Sequence, residues 1–236
     1  MSLVELNDGG NSSVLIVGID PGTTGAKMAF LRAYEVYEGG RLDFTKDPAD
    51  RTHTLANFPG YHQAHVSTLP TCLIYNRSGR LVKWGHEAVS AQSRHGFDPR
   101  CLITNWKLKL LEYSRQGSLE ATPQALGKSP AGFATDFFSV LTNYLFTEPR
   151  SCLLSHFGGT EGMRQFRFID VIIAMPPGWS HEEHSIFGAA AKKGLDGIPN
   201  TRVITVSETE CTLRSWMSQE GRHLNIVRTR YFFSRF

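Results

Sequence analysis

With 236 residues, 41% of them apolar and 20% charged, the chain is long enough to bury a sizeable core and too apolar for a disordered segment. Its formal charge of +3 is small and spread along the sequence, which argues against a nucleic-acid partner. No run approaches the roughly 18 apolar residues of a membrane-spanning helix, so no membrane partner is expected.

The opening MSLVELNDGGNSS is polar and lacks the apolar stretch of a signal peptide. It reads as a flexible leader over residues 1–13, and a cytoplasmic location is the expectation. The sequon-like triplets at Asn11 and Asn76 carry no meaning without secretion. Four cysteines, at 72, 101, 152 and 211, lie far apart without a CxxC pair, as expected of reduced thiols.

Val14–Phe30, VLIVGIDPGTTGAKMAF, organises the rest. An apolar run from Val14 to Val17 predicts a buried strand, a turn follows through Pro21–Gly25, and a second strand resumes from Met28. A carboxylate at the end of such a strand, Asp20, is poorly placed for packing. It is well placed to hold a hydrated Mg²⁺, which favours carboxylate and phosphate oxygens. Gly22 lets backbone N–H groups approach an anion, and the hydroxyls of Thr23 and Thr24 add donors. The turn is no Walker loop, since G-x-x-x-x-G-K-S/T is missing and a strand follows where a helix should.

Further along, the hairpin extends to about Tyr37, and 38–62 reads as a loop around one short strand. Thr68–Tyr75 and Leu81–Gly85 predict strands paired across the Asn76–Arg80 turn, and His86–Ser93 starts a short helix. Asp98–Tyr113 has Leu102, Trp106, Leu110 and Tyr113 at helical spacing. A polar loop is expected over 115–130, then a helix over Ala131–Thr147 with Phe133, Phe137, Leu141, Tyr144 and Leu145 on one stripe. Residues 148–166 read as a connection. Phe168–Met175 is a continuous apolar run, as in a strand buried on both faces. Ser180 and Glu183 form a capping box for the next helix; Asn200–Val206 predicts a strand, and Ser207 can cap a helix over Glu208–Met217. Strand, helix, strand, helix implies an α/β sheet. The histidine pairs 62/65 and 181/184 lack a third metal ligand, and Ser180 with His181 lacks a G-x-S-x-G elbow.

The Gly-Ile-Asp-x-Gly-Thr-Thr wording resembles the first phosphate motif of the ATPase superfamily that holds actin, sugar kinases and the seventy-kilodalton heat-shock chaperones. It is most similar to the chaperone branch. The resemblance implies that Asp20 orders a magnesium-bound water shell and that Gly22, Thr23 and Thr24 hold the β- and γ-phosphates of ATP. Asn105–Leu110 resembles the segment of the catalytic lysine in atypical fungal and animal relatives, which places Lys107 at that position. Val171–Trp179 resembles the strand with the hinge proline, here Pro176. Val203–Glu208 resembles the strand entering the E-P-T-A-A helix, with Glu208 as the glutamate that organises the metal-bound water.

Departures are Gly25 where a tyrosine is usual, His184 where an arginine is usual, and Thr209–Thr212 in place of Pro-Thr-Ala-Ala. The resemblance covers 14–217 and implies lobe I of an actin-like ATPase, a ribonuclease-H-like mixed sheet flanked by helices. No D-x-G-G-G-T motif and no second lobe follow. Residues 218–236 form a basic, aromatic tail outside the family pattern, and a truncated product is the simplest expectation. The implied function is an ATP/Mg²⁺-binding domain with weak or no hydrolysis. The rival reading is a non-catalytic module that meets a protein partner through its exposed face, and a kinase of the same superfamily is a third. Direct chaperoning of clients is not expected without a peptide-binding domain.

Overall fold

Ser12–Pro21 (β1) and Gly25–Val36 (β2) form an antiparallel hairpin in unbroken register from Ser12↔Glu35 to Pro21↔Ala26. They belong to a computed structural model that describes residues 12–36, 41–43, 53–56, 58–60, 67–116 and 127–209. Strand structure therefore begins inside the expected leader. Ser13 is buried and its hydroxyl donates to the Gln165 carbonyl at 3.1 Å, a partner 152 residues away that no local pattern announces. Arg41–Asp43 (β3), His53–Thr54 (β4) and Thr68–Pro70 (β5) each pair antiparallel with β2. Among the described residues of 38–62, the expected single strand is thus two. The 62/65 histidine pair, the tail 218–236 and most of the helix over 208–217 lie outside the described residues.

The expected strand Thr68–Tyr75 is split. Leu73–Tyr75 (β6) leaves the main sheet and pairs with Leu81–Trp84 (β7), as the hairpin signal indicated. Pro70 has no N–H for a ladder, and Thr71 turns inward to the Thr23–Thr24 turn. Gly85–Gln92 (α1) follows, entered through Gly85 at φ +57, where a Cβ would lie 2.6 Å from Leu69 Cδ1. The region 98–113 is not one helix. A 3₁₀ turn, Pro99–Cys101, is capped by Asp98, then Leu102–Ile103 (β8) pairs with β6, and only Trp106–Gln116 (α2) is helical. Asn105 at φ +52 separates strand from helix.

Pro130–Thr147 (α3) starts at the Ser129 cap with proline in the first turn. The connection after it contains two short helices, Cys152–His156 (α4) and Thr160–Met163 (α5). Phe166–Met175 (β9) runs parallel to β1, and the capping box of Ser180 and Glu183 opens His181–Gly194 (α6). Thr201–Ser207 (β10) runs parallel to β9. Among the described residues the main sheet has the order β10-β9-β1-β2-β3, with β4 and β5 also on β2, and β7-β6-β8 form a second sheet.

Alternation divides the main sheet into two unlike faces. Leu15, Val17 and Ile19 of β1 and Ile169, Val171 and Ile173 of β9 are buried in one cluster with α3 and α6. Trp106, Phe137, Phe138 and Phe187 form its aromatic centre, with Trp106 stacked on Phe187 at 6.1 Å. The alternate residues form rows on the other face: half-buried Leu31 and Ile16 with buried Asp170 and exposed Arg202, then half-buried Ala29, Gly18, Ile172 and Ile204. There Arg202 grips buried Asp170 through two bonds, at 2.6 and 2.8 Å, and ties β10 to β9.

Candidate functional site at the carboxyl edge of the sheet

Because β1, β9 and β10 are parallel, Asp20, Met175 and Ser207 end at one edge of the sheet. Asp20 is exposed there, in register with exposed Lys27. The turn after it is sterically restricted. The Gly22 N–H donates to the Asp20 carbonyl at 3.0 Å. A Cβ on Gly22 would come 2.6 Å from the Gly25 carbonyl oxygen, and one on Gly25 would come 2.5 Å from Thr68 Cγ2. Gly25, where the resembling family has tyrosine, is thus held small by β5.

Thr71 fixes the turn from below, a role with no signal in the sequence beyond a threonine after Pro70. It is buried; its N–H donates to the Thr24 carbonyl at 3.2 Å and its hydroxyl to the Thr23 carbonyl at 2.9 Å. In a trans peptide the N–H opposes the C=O, so the N–H groups of Thr24 and Gly25 face away from Thr71. The hydroxyl-bearing turn keeps Thr23 half-buried and Thr24 exposed.

Lys107 reaches the same edge from the helical side. Trp106, fully buried against Phe137 and Phe187, anchors the first turn of α2, and Lys107 is the next residue. Its side chain is 6% exposed, yet its ammonium meets Glu208 Oε1 at 3.1 Å, where Glu208 is 34% exposed and directly follows β10. Two residues 101 positions apart, singled out separately in the sequence, are therefore joined by the fold. A buried ammonium needs such a counter-charge. Asp20 stands apart from this pair, since β9 separates its strand from β10, a gap of about 10 Å at ordinary strand spacing.

Pro176, matched to the hinge proline, lies just beyond β9, and its carbonyl oxygen is 3.3 Å from His184 Nε2. Among the described residues no group of three His, Cys, Asp or Glu side chains is placed to hold a metal unaided, and Cys72, Cys101 and Cys152 are free thiols. No helix of the described residues is long and apolar enough to cross a membrane.

Behind the turn, His86 Nε2 lies 3.2 Å from the Thr68 carbonyl, and burial holds its pKa below the ordinary value. The unfolded chain then binds this proton more readily than the folded one. Above about pH 6.5 both states are neutral and nothing is lost; stability falls as pH drops from there toward the lowered folded value. Urea midpoints at pH 7.5 and 5.0 are expected to differ more in the wild type than in His86→Gln. Equal differences would show that His86 is not the titrating group.

No protein-family model matches the chain, and no curated protein matches it. What the fold defines is the class, a mixed α/β protein with a mixed sheet and helices.

Proposed function

We propose that the chain is lobe I of an actin-like, heat-shock-like ATPase domain, an ATP/Mg²⁺-binding unit with weak or no hydrolysis. The observation that carries this reading is the Lys107–Glu208 pair, placed at the same sheet edge as Asp20 and the Gly22–Thr24 turn. The residue chemistry fits the group. Asp20 offers an exposed carboxylate to magnesium, the turn offers N–H and hydroxyl donors to phosphate, and Lys107 offers a point charge. Magnesium, when bound, would supply neutralisation of the polyphosphate charge. Glu208 would hold the lysine in place and help orient metal-bound water.

Asp20 and Thr24 are exposed, so a nucleotide on this edge keeps much contact with water, and tight sites are ordinarily enclosed. Hydrolysis needs preorganised donors on more than one side of the reacting phosphate. Incubation with Mg-ATP should release no phosphate above background. Magnesium-dependent turnover abolished by Asp20→Asn would overturn the non-hydrolysing reading.

A second reading, a pseudo-ATPase that binds a protein partner, is favoured by one observation. Ile16, Leu31, Ile172, Ile204 and Val206 are only half-buried on the second sheet face, and contiguous apolar surface of that kind often marks an interface.

A further inference from the structure

β10 is an outermost strand of the main sheet, and among the described residues no strand lies beside its far edge. Such an edge is a template for pairing with another chain, and proteins ordinarily blunt it with lysine, proline or a bulge. β10 carries none of these. Its sequence, TRVITVS, is rich in β-branched residues, it keeps unbroken register with β9, and none of its seven residues is buried. Its one charged side chain, Arg202, turns inward onto Asp170 and the Phe168 ring, both on β9.

The register decides which backbone groups face outward. Thr201 lies opposite Ile169, and the Ile169 N–H donates to the Asn200 carbonyl at 3.0 Å. In a parallel ladder the residue making such a bond serves both neighbours of the residue opposite, whose own groups point away. Thr201, Val203, Thr205 and Ser207 therefore direct their N–H and C=O groups outward, whereas those of Arg202, Ile204 and Val206 face β9.

That edge is complementary to itself. An antiparallel copy centred on Ile204 sets Thr201 opposite Ser207 and Val203 opposite Thr205, so outward groups meet outward groups. Ile204 then meets Ile204 of the second copy, and Arg202 meets Val206, so no like charges stand opposite one another. Half-buried Ile172, Ile204 and Val206 of both copies form one apolar strip on the second sheet face.

We propose that the chain forms a two-fold homodimer by antiparallel pairing of β10 with β10 of a second copy, joining the two main sheets into one. The contact is isologous and occupies the same edge on both copies, so it closes at two. It does not depend on nucleotide binding, and it leaves the two carboxyl edges pointing in opposite directions.

The test is sedimentation velocity of the full chain over a concentration series, for the wild type, Thr205→Pro, Ile204→Lys and Ile204→Glu. The wild type should show a reversible monomer–dimer equilibrium. Thr205→Pro removes only an outward N–H, at an edge position where proline is tolerated. Two symmetric hydrogen bonds are lost with it, so the dimer should weaken about tenfold or more. Ile204→Lys and Ile204→Glu each place like charges on the two-fold axis; each should be monomeric alone, and the two should pair when mixed. That mixture tests the register even if Thr205→Pro fails to fold. A wild type that stays monomeric up to about millimolar concentration would overturn the proposal. So would Thr205→Pro or Ile204→Lys dimerising as well as the wild type, or a mixture of the two Ile204 variants that stays monomeric.

Discussion

Phe187→Ala is expected to cost about 3–5 kcal/mol, the range for emptying an aromatic site in a packed core. The ring is fully buried and is shared by three elements. It stacks on Trp106 of α2 at 6.1 Å, meets Phe138 of α3 edge-on at 5.7 Å, and meets Trp179, which precedes α6, at 5.6 Å. These neighbours are large rings held by one another, so the site has little freedom to collapse. A domain of ordinary stability holds only about 5–15 kcal/mol in all. Urea unfolding followed by Trp fluorescence should show the midpoint falling by at least about a fifth; a loss below about 1 kcal/mol would show that the aromatic centre is loosely packed. Because Trp106 orients the first turn of α2, the same variant should also loosen Lys107.

Glu208→Ala and Lys107→Met should differ sharply although they break the same contact. Removing the carboxylate strands an ammonium that is 6% exposed, and an unpaired buried charge is expensive. Glu208 is itself 34% exposed, so water reaches the pair; the expected loss is roughly 2–3 kcal/mol, below the 3–5 of a fully enclosed pair. Lys107→Met keeps the length and apolar stem of the side chain and leaves Glu208 in contact with water. Its stability should change by less than about 1 kcal/mol. On the proposed function, the same Met variant should weaken any nucleotide binding about tenfold or more, since the point charge is lost. Denaturation curves for both variants decide the matter. Lys107→Met as destabilising as Glu208→Ala would mean that the pair is a structural clasp rather than a tolerated cost at a site.

Much of the fold was legible because its signals are local. The apolar run of β9, the hairpin around Pro21–Gly25 and the Ser180–Glu183 box each occupy a few consecutive residues, and each stands in the structure. The misread stretches depend on distant partners. Leu102 satisfies helical spacing, yet it is a strand residue opposite Ile74, and Asn105 adopts a left-handed conformation that ends the strand. The helices α4 and α5 are short, and Ser151 caps α4 while its hydroxyl also donates to the Leu145 carbonyl, a contact set by packing. At the carboxyl edge, residue wording pointed to Asp20, Gly22, Thr23, Thr24, Lys107 and Glu208 one at a time. Spacing along the chain holds no information that Lys107 meets Glu208, or that Thr71 is the residue that fixes the turn.

The central claim is that the carboxyl edge is a magnesium-dependent phosphate site, and calorimetric titration of the purified chain with Mg-ATP, with Asp20→Asn as control, tests it most directly. The account predicts weak binding, of roughly millimolar affinity or about −4 kcal/mol, that disappears without magnesium and in Asp20→Asn. No binding heat from a well-folded chain at saturating Mg-ATP, or equal binding by wild type and variant, would contradict it and leave the half-exposed sheet face as the stronger candidate for function.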